Sequence, residues 1–107
     1  MNLFAKLQQR AEIGEPIRVG MIGAGKFGTM FLAQVLRHAG IHMVGIVDLV
    51  PASAKSNLAL VGWPAERYGA DSLDAALANG STYVGDDWQT LVNHPQIDIV
   101  IECTGNP

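Results

Sequence analysis

Cysteine and long apolar segments are both scarce in this sequence. It has one cysteine, Cys103, so it cannot form a disulfide within the chain, and this fits the cytosolic location that we expect. No apolar run approaches the roughly 18 residues that a membrane-spanning helix needs. The first residues also lack the long apolar core of a signal peptide. We therefore expect neither secretion nor contact with a membrane.

Charge is sparse as well. Charged residues make up 16% of the sequence and the net charge is −3, so there is no basic face of the kind that non-specific nucleic-acid binding requires. His38, His42 and His94 lack the spacing of metal ligands, and we predict no metal site. Hydrophobic residues, at 49%, are instead typical of a globular domain.

Glycine, by contrast, occurs in a specific arrangement. The segment 17–28, IRVGMIGAGKFG, has the pattern of a buried strand that runs into Gly-x-Gly-x-x-Gly and then opens a helix. Gly23 would allow a sharp turn, Gly25 a close approach of pyrophosphate to the backbone, and Gly28 tight packing of the helix on the strand. Because the start of a helix attracts anions, the pattern predicts a dinucleotide site. A glycine-rich turn without a nucleotide is the alternative.

Three other residues complete this loop and are candidate cofactor-binding positions: Ala24, Lys26 and Phe27. Lys26 could reach a phosphate or extend into solvent, and the sequence leaves both open. Phe27 is expected to pack beneath the loop as part of the core.

An acidic residue follows at the expected distance. Asp48 lies 20 positions after Gly28, at the end of the second predicted strand, where a carboxylate can bind the hydroxyls of an adenosine ribose. A carboxylate repels a 2′-phosphate, no arginine occupies positions 49 to 52, and the nearest cation is Lys55. The residues therefore favour NAD over NADP. The alternative role for Asp48 is to cap the helix that begins near Pro51.

The order of elements predicts the fold class. Strands alternate with helices, which indicates an α/β protein with a Rossmann-type, doubly wound parallel sheet of strand order 3-2-1-4. We predict strands at 17–22, 41–48, 82–84 and 97–103. We predict helices at 26–39, 52–61 and 72–79, the last capped by Asp71, and a short helix capped by Asp86 or Asp87.

This order predicts one domain with an N-terminal extension. Residues 1–15 form an N-terminal helical extension, expected to pack on the rim of the sheet or on a partner subunit, which would make a homo-oligomer. Residues 16–107 form the dinucleotide-binding domain. The last strand ends the sequence without a closing helix, so we expect the sheet to be incomplete at the C-terminus and the chain to be the front part of a longer polypeptide.

The end of the fourth strand supplies the remaining candidates. Cys103, Thr104, Gly105 and Asn106 would lie at the carboxyl edge of the sheet, beside the glycine loop, and suit contact with the nicotinamide-side ribose. An ordinary turn is the alternative for residues 104–106. Because the histidines are predicted to lie far from this edge, we expect the Cys103 thiol to be structural rather than nucleophilic.

These segments together resemble a known group of enzymes. The run 17–28, then VDLVP at 47–51 and IECTGNP at 101–107, resemble the N-terminal domain of homoserine-dehydrogenase-like oxidoreductases that carry a C-terminal SAF domain. The helix beginning MNLF is similar to the N-terminal extension of that group, which includes enzymes similar to 1-deoxy-D-xylulose 5-phosphate reductoisomerase. The resemblance covers nearly the whole chain.

The resemblance implies an NAD(P)H-dependent reduction of a small-molecule substrate that a C-terminal domain holds. The family's catalytic residues have no counterpart among these 107 residues, so we expect them beyond residue 107 and expect this fragment alone to be inactive. Reductoisomerase-like members are expected to use NADPH, whereas Asp48 favours NAD. Two other functions remain open: a module that senses NAD(H) without catalysis, and another dinucleotide-dependent dehydrogenase class, since a fold alone does not set a function.

Overall fold

Four parallel strands form one sheet in this protein, for which we use a computed structural model that describes residues 16–23, 26–35 and 40–103. Their order across the sheet is β3-β2-β1-β4, so the predicted Rossmann-type α/β fold and its 3-2-1-4 order are confirmed. The strands are β1 (Ile17–Ile22), β2 (Ile41–Val47), β3 (Tyr83–Gly85) and β4 (Ile99–Glu102). The predicted extension at 1–15 and the last part of the predicted helix at 26–39 lie outside the described residues.

Helices cover both faces of the sheet. They are α1 (Lys26–Val35), α2 (Pro51–Leu60), α3 (Leu73–Asn79) and α4 (Trp88–Asn93), and a 3-10 helix spans Ala65–Tyr68. On one face, Leu32 of α1 and Leu58 of α2 are fully buried in a cluster with β-strand residues such as Met21. On the other face, Leu73 of α3 and Leu91 of α4 are buried in a second cluster. None of the helices among the described residues is long and apolar enough to cross a membrane.

The first face is also held by a buried indole. Trp63 follows α2, and its Nε1 donates a hydrogen bond to the carbonyl oxygen of Leu32 at 3.0 Å. The bond therefore connects the segment that follows α2 to α1, and these are the two helices that follow the first two strands.

Glycines let α3 and α4 approach the second face closely. A Cβ atom at Gly45 would lie 2.5 Å from Cδ2 of Leu73 and 2.8 Å from Cδ1 of Leu91, and one at Gly20 would lie 2.8 Å from the same Leu91 atom. Carbon atoms pack comfortably at about 3.5–4.0 Å, so any larger residue at these positions would push the helices away.

The register between β1 and β2 slips once. Val19 pairs with Met43 and Gly20 pairs with Gly45, so Val44 is an extra residue in β2. This is the geometry of a β-bulge. As a result, Val44 is fully buried in the cluster under α3 and α4, and Gly45 contacts the same helices.

Several predicted boundaries differ from those of the structure. The helix predicted to be capped by Asp71 is capped by Ser72, whose Oγ accepts from the Ala75 N–H at 3.0 Å. Of the two candidates for the next cap, the structure selects Asp87, which accepts from the Thr90 N–H at 3.2 Å. In both cases a cap bonds an N–H two or three residues ahead, so a shift of one residue decides which side chain can reach it.

The segment 66–70, which precedes α3, is ordered. It contains most of the 3-10 helix, and Ala70 then forms an isolated parallel bridge with Tyr83. Strand β3 is consequently flanked on both sides, by β2 and by this short bridge. The fourth strand is shorter than predicted, since it spans Ile99–Glu102 rather than 97–103. Its Ile99 side chain is 48% exposed in the described part of the chain.

Candidate functional site

Three predicted site residues lie together where strands end. The Gly23 N–H donates to the Val47 carbonyl oxygen at 2.6 Å, and the Cys103 N–H donates to the Ile22 carbonyl oxygen at 2.7 Å. Asp48 directly follows Val47 in the chain. Gly23, Asp48 and Cys103 therefore occupy the carboxyl edge of β1, β2 and β4, which is the edge where ligands bind in open α/β sheets.

Gly23 has the backbone conformation that its predicted role demands. Its φ is 81°, in the left-handed region, where a side chain would clash with the main chain. Among the described residues, only glycines have a positive φ, the others being Gly62 and Gly80. The chain therefore makes its sharp turn out of β1 at Gly23, and α1 begins three positions later at Lys26.

The remaining loop positions are described in part or not at all. Lys26, Phe27 and Gly28 form the first turn of α1, whose N–H groups have no acceptor earlier in that helix. Their predicted side-chain roles stay predictions. Ala24 and Gly25 lie outside the described residues, and so do Thr104, Gly105 and Asn106, so their predicted contacts with a cofactor are untested.

Asp48 is held by its neighbours on both sides. Its N–H donates to the carbonyl oxygen of Gly85, the last residue of β3, at 2.9 Å. Its Oδ1 accepts from the Val50 N–H at 3.0 Å, which closes a local turn of the kind that aspartate favours. The carboxylate is half-exposed at the edge of the sheet, where a hydroxyl group of a ligand can reach it.

The alternative role of Asp48 as the cap of α2 is wrong. The N-cap of α2 is Val50, and it makes no side-chain capping bond, while Pro51 takes the first helical position, where its missing N–H costs nothing. The bond from Val50 to Asp48 precedes the helix rather than capping it. Asp48 is thus a residue of the strand end, which is the place that a ribose-binding carboxylate occupies.

Gly85 and Val50 were missed as parts of this edge by sequence reasoning. Gly85 supplies the carbonyl oxygen that fixes the Asp48 backbone, and Val50 supplies the N–H that fixes its carboxylate. A signal for Gly85 was present, because it ends a short apolar segment before Asp86 and Asp87. The signal for Val50 was weaker, since any residue two positions after an aspartate can make that bond.

Cys103 is partly buried against the cluster that α1 and α2 cover. Burial raises the pKa of the Cys103 thiol, because removal from water disfavours the charged thiolate. The thiol is therefore mostly protonated near neutral pH and is a poor nucleophile. This geometry supports the prediction of a structural thiol.

The two described histidines are bound elsewhere. His42 Nε2 donates to the Ser81 carbonyl oxygen at 2.7 Å. In His94, Nδ1 accepts from the Gln96 N–H at 3.2 Å, so Nε2 carries the proton that it donates to Oδ1 of Asp74 at 3.0 Å. Within the described ranges, no group of three or more histidine, cysteine, aspartate or glutamate residues could hold a metal ion.

The chemistry of the carboxyl edge fits a dinucleotide. The left-handed glycine turns the chain toward a helix whose first turn offers backbone N–H groups for a diphosphate, and a half-exposed carboxylate on the neighbouring strand offers acceptors for ribose hydroxyls. A group that favours an anion and a group that favours hydroxyl donors thus follow adjacent strands.

Comparison with known proteins agrees with this geometry. The family model described as an oxidoreductase family with an NAD-binding Rossmann fold matches residues 17–107. The match begins at the first residue of β1 and includes the glycine loop, Asp48 and the end of β4. No curated protein sequence matches the chain.

Proposed function

The chain belongs to the oxidoreductase family with an NAD-binding Rossmann fold, and from this we propose that it binds a nicotinamide dinucleotide for hydride transfer to a small-molecule substrate. The observation that carries the proposal is the juxtaposition of Gly23, Asp48 and Cys103 at one carboxyl edge. When bound, the nicotinamide supplies or accepts the hydride, and the protein supplies placement and electrostatics.

In this proposal each binding group takes one part of the cofactor. The first turn of α1, which follows the turn at Gly23, holds the pyrophosphate, since the N–H groups that begin a helix and the helix dipole both favour an anion there. Asp48 accepts hydrogen bonds from the adenosine ribose. Cys103 and the following residues 104–106 border the nicotinamide-side ribose.

We further propose that NAD is preferred to NADP. A 2′-phosphate would lie beside the Asp48 carboxylate, which repels it. The Val50 N–H, a donor that such a phosphate could otherwise use, is already bonded to that carboxylate. The first cation after Asp48 is Lys55, an exposed residue in the middle of α2.

The resemblance to homoserine-dehydrogenase-like enzymes with a SAF domain supports a finer proposal. In it, a C-terminal domain holds the substrate and supplies the catalytic residues, while residues 1–15 extend the dinucleotide domain toward its rim or a partner subunit. The 107-residue chain would then bind cofactor without turnover. Steady-state oxidation of NADH by this chain alone would contradict that proposal.

Calorimetric titration with NAD and with NADP tests the cofactor assignment. The informative variant is Asp48→Asn, which keeps an oxygen for the Val50 N–H but removes the negative charge. We expect wild type to bind NAD more tightly, and Asp48→Asn to lose about tenfold or more in NAD affinity, since a hydrogen bond to a charged group is worth roughly 1.5–3 kcal/mol.

Asp48→Ala serves as the second variant because it removes the local turn as well. We expect it to weaken NAD binding at least as much as Asp48→Asn does. Tight NADP binding by wild type that neither substitution changes would overturn the ribose role of Asp48. Absence of binding to either nucleotide would overturn the function itself.

A further inference from the structure

Exposed apolar side chains gather around Asp48 at the carboxyl edge of the sheet. Leu49 and Val50, which follow Asp48, are both exposed, and Trp88 is 53% exposed. Trp88 is the first residue of α4 and comes three positions after Gly85, whose carbonyl oxygen accepts the hydrogen bond from the Asp48 N–H. Exposed apolar side chains that cluster, rather than occur singly, mark binding sites. The indole is therefore a candidate contact for a ligand of this edge.

The side of α4 that carries Trp88 faces away from α3. Leu91 points into the sheet, where it is fully buried, and Thr90 lines a cleft with Ser72 and Leu73 at the start of α3. With about 3.6 residues per turn, Trp88 and Thr90 lie on opposite sides of Leu91. Helix α3 packs on β2 and β3, whereas α4 packs on β1 and β2. Trp88 therefore extends over the β1 side of this face.

The β3 side of Asp48 is already filled by an aromatic ring. A Cβ atom at Gly85 would collide with the ring of Tyr83, so this ring covers the end of β3. Tyr83 packs against the cluster that α3 and α4 bury, which places its ring on their face of the sheet. On this face, a base attached to a ribose at Asp48 can therefore lie only above β2 and β1. This is the region over which Trp88 extends.

The chemistry of an indole suits a purine base. Adenine is flat and uncharged near neutral pH, and bases of this kind stack on aromatic side chains. The chain has two tryptophans, and the other one, Trp63, is buried and donates its Nε1 hydrogen to the Leu32 carbonyl oxygen. Trp88 is thus the tryptophan whose ring is open to a ligand. Because the base is joined directly to the ribose, a ribose at Asp48 brings the base to this side of the edge.

We propose that the Trp88 indole stacks on the adenine base of the bound dinucleotide and so fixes the adenosine half of the cofactor beside Asp48. The inference rests on the proposed function, because the ribose at Asp48 is what brings the base to α4. Asp48 then recognises the ribose hydroxyls and Trp88 the face of the base, while the nicotinamide half contacts neither. Trp88 contributes affinity by this contact, and no proton or hydride passes through it.

Calorimetric titration of the chain with NAD tests the contact. We expect Trp88→Ala to bind NAD roughly tenfold more weakly, since that is the scale of stacking between a base and an aromatic ring. Trp88→Phe keeps an aromatic face and should stay within about threefold of wild type. ADP-ribose lacks the nicotinamide, and Trp88→Ala should weaken its binding by the same factor. Val92→Ala is the matched control, because Val92 is exposed one turn later on the same side of α4, and it should bind NAD as wild type does.

Tryptophan fluorescence is a second measurement, and a merely structural role of Trp88 would not affect it. A stacked base quenches the indole, so NAD should lower the emission of wild type and leave unchanged that of Trp88→Phe, which comes from the buried Trp63. Unquenched wild-type emission at saturating NAD would overturn the contact while leaving dinucleotide binding intact. So would full affinity in Trp88→Ala, or equal losses of affinity in Trp88→Ala and Val92→Ala. Failure of wild type to bind NAD would instead overturn the proposed function.

Discussion

Gly23 joins a backbone requirement to a proposed binding role in one residue. Its φ of 81° costs a non-glycine residue roughly 1–2 kcal/mol, and its N–H is already committed to Val47. We expect Gly23→Ala to lower the free energy of unfolding by about that amount, because the alanine must adopt the same left-handed turn. We also expect it to abolish detectable NAD binding, because the start of α1 would be displaced.

Two other glycines supply controls for that substitution. Gly80 has a φ of 70° and open space around its Cβ position, but it lies before β3, at the opposite edge of the sheet. Gly80→Ala should therefore lower the free energy of unfolding, measured by urea denaturation, about as much as Gly23→Ala does, but it should keep the wild-type affinity for NAD. Gly69 has a φ of −102°, and a Cβ atom there would lie 3.6 Å from the Ala65 carbonyl oxygen. Gly69→Ala should therefore change neither the free energy of unfolding nor the NAD affinity. Equal losses of affinity at Gly23 and Gly80 would mean that the effect is global.

At the scale of the element, α4 lies close to the sheet because Gly20 and Gly45 leave space for its Leu91 side chain. Gly45→Ala would place a methyl group against Leu73 and Leu91, both buried, and overpacking of this kind costs about 1–3 kcal/mol. We expect urea denaturation to show that Gly45→Ala lowers the free energy of unfolding by an amount in that range. Leu91→Ala alone should cost about 2–5 kcal/mol through the cavity it leaves.

The double variant decides whether the clash with Leu91 is the cause. Truncating Leu91 gives the new methyl group room on one side, so Gly45→Ala should cost less in the Leu91→Ala background than in wild type. Leu73 remains close, and the relief should be partial. Strict additivity of the two substitutions would show that Gly45→Ala acts through the backbone instead.

The start of α4 gives the element a pH dependence of its own. Hydrogen bonds from the Thr90 side chain and main chain lower the pKa of Asp87, so the native state holds its carboxylate charged more firmly than the unfolded chain does. The capping contribution is therefore present above about pH 4 and is lost as the pH falls below it. Asp87→Asn keeps a good cap without titrating, and we expect its acid unfolding curve to be flatter. An unchanged curve would contradict this.

Elements with a strong pattern could be predicted from the sequence, and those set by tertiary contacts could not. The run from Ile17 to Ile22 is apolar except for Arg18 and ends before a glycine, and both its bounds and its central place in the sheet were predicted correctly. The bulge at Val44 leaves no mark in the sequence, because an extra apolar residue in an apolar strand looks like continued strand. The bridge from Ala70 to Tyr83 likewise depends on where α2 ends in space.

The candidate site shows the same division. The positions of Gly23 and Asp48 at strand ends were predicted by spacing, since a dinucleotide requires a turn and a carboxylate at fixed positions along the chain. The groups that hold Asp48, at Gly85 and Val50, contribute main-chain atoms, which every residue has. Main-chain contacts of this kind are invisible to residue type, so they become apparent only when the strands are placed side by side.

Across the whole molecule, the proposed ligand binds residues that belong to separate strands. Gly23 follows β1, Asp48 follows β2 and Cys103 follows β4, so a bound dinucleotide would connect strand ends that unfolding separates. A ligand that binds the native state alone raises its stability by RT ln(1 + [L]/Kd), which is about 2.7 kcal/mol at a hundredfold excess over Kd. We expect NAD at that excess to raise the melting temperature of the chain by several degrees or more.

Ligand fragments make this measurement specific. Adenosine monophosphate can reach Asp48 with its ribose but carries a single phosphate, so at equal concentration it should raise the melting temperature less than NAD does. NADP should also raise the melting temperature less than NAD does, because its 2′-phosphate is repelled by the Asp48 carboxylate. The Gly23→Ala variant should have a lower melting temperature than wild type without ligand, and NAD should not raise it. If all three nucleotides stabilise wild type equally, the protein recognises only a shared adenylate, and the pyrophosphate role of the turn after β1 is wrong.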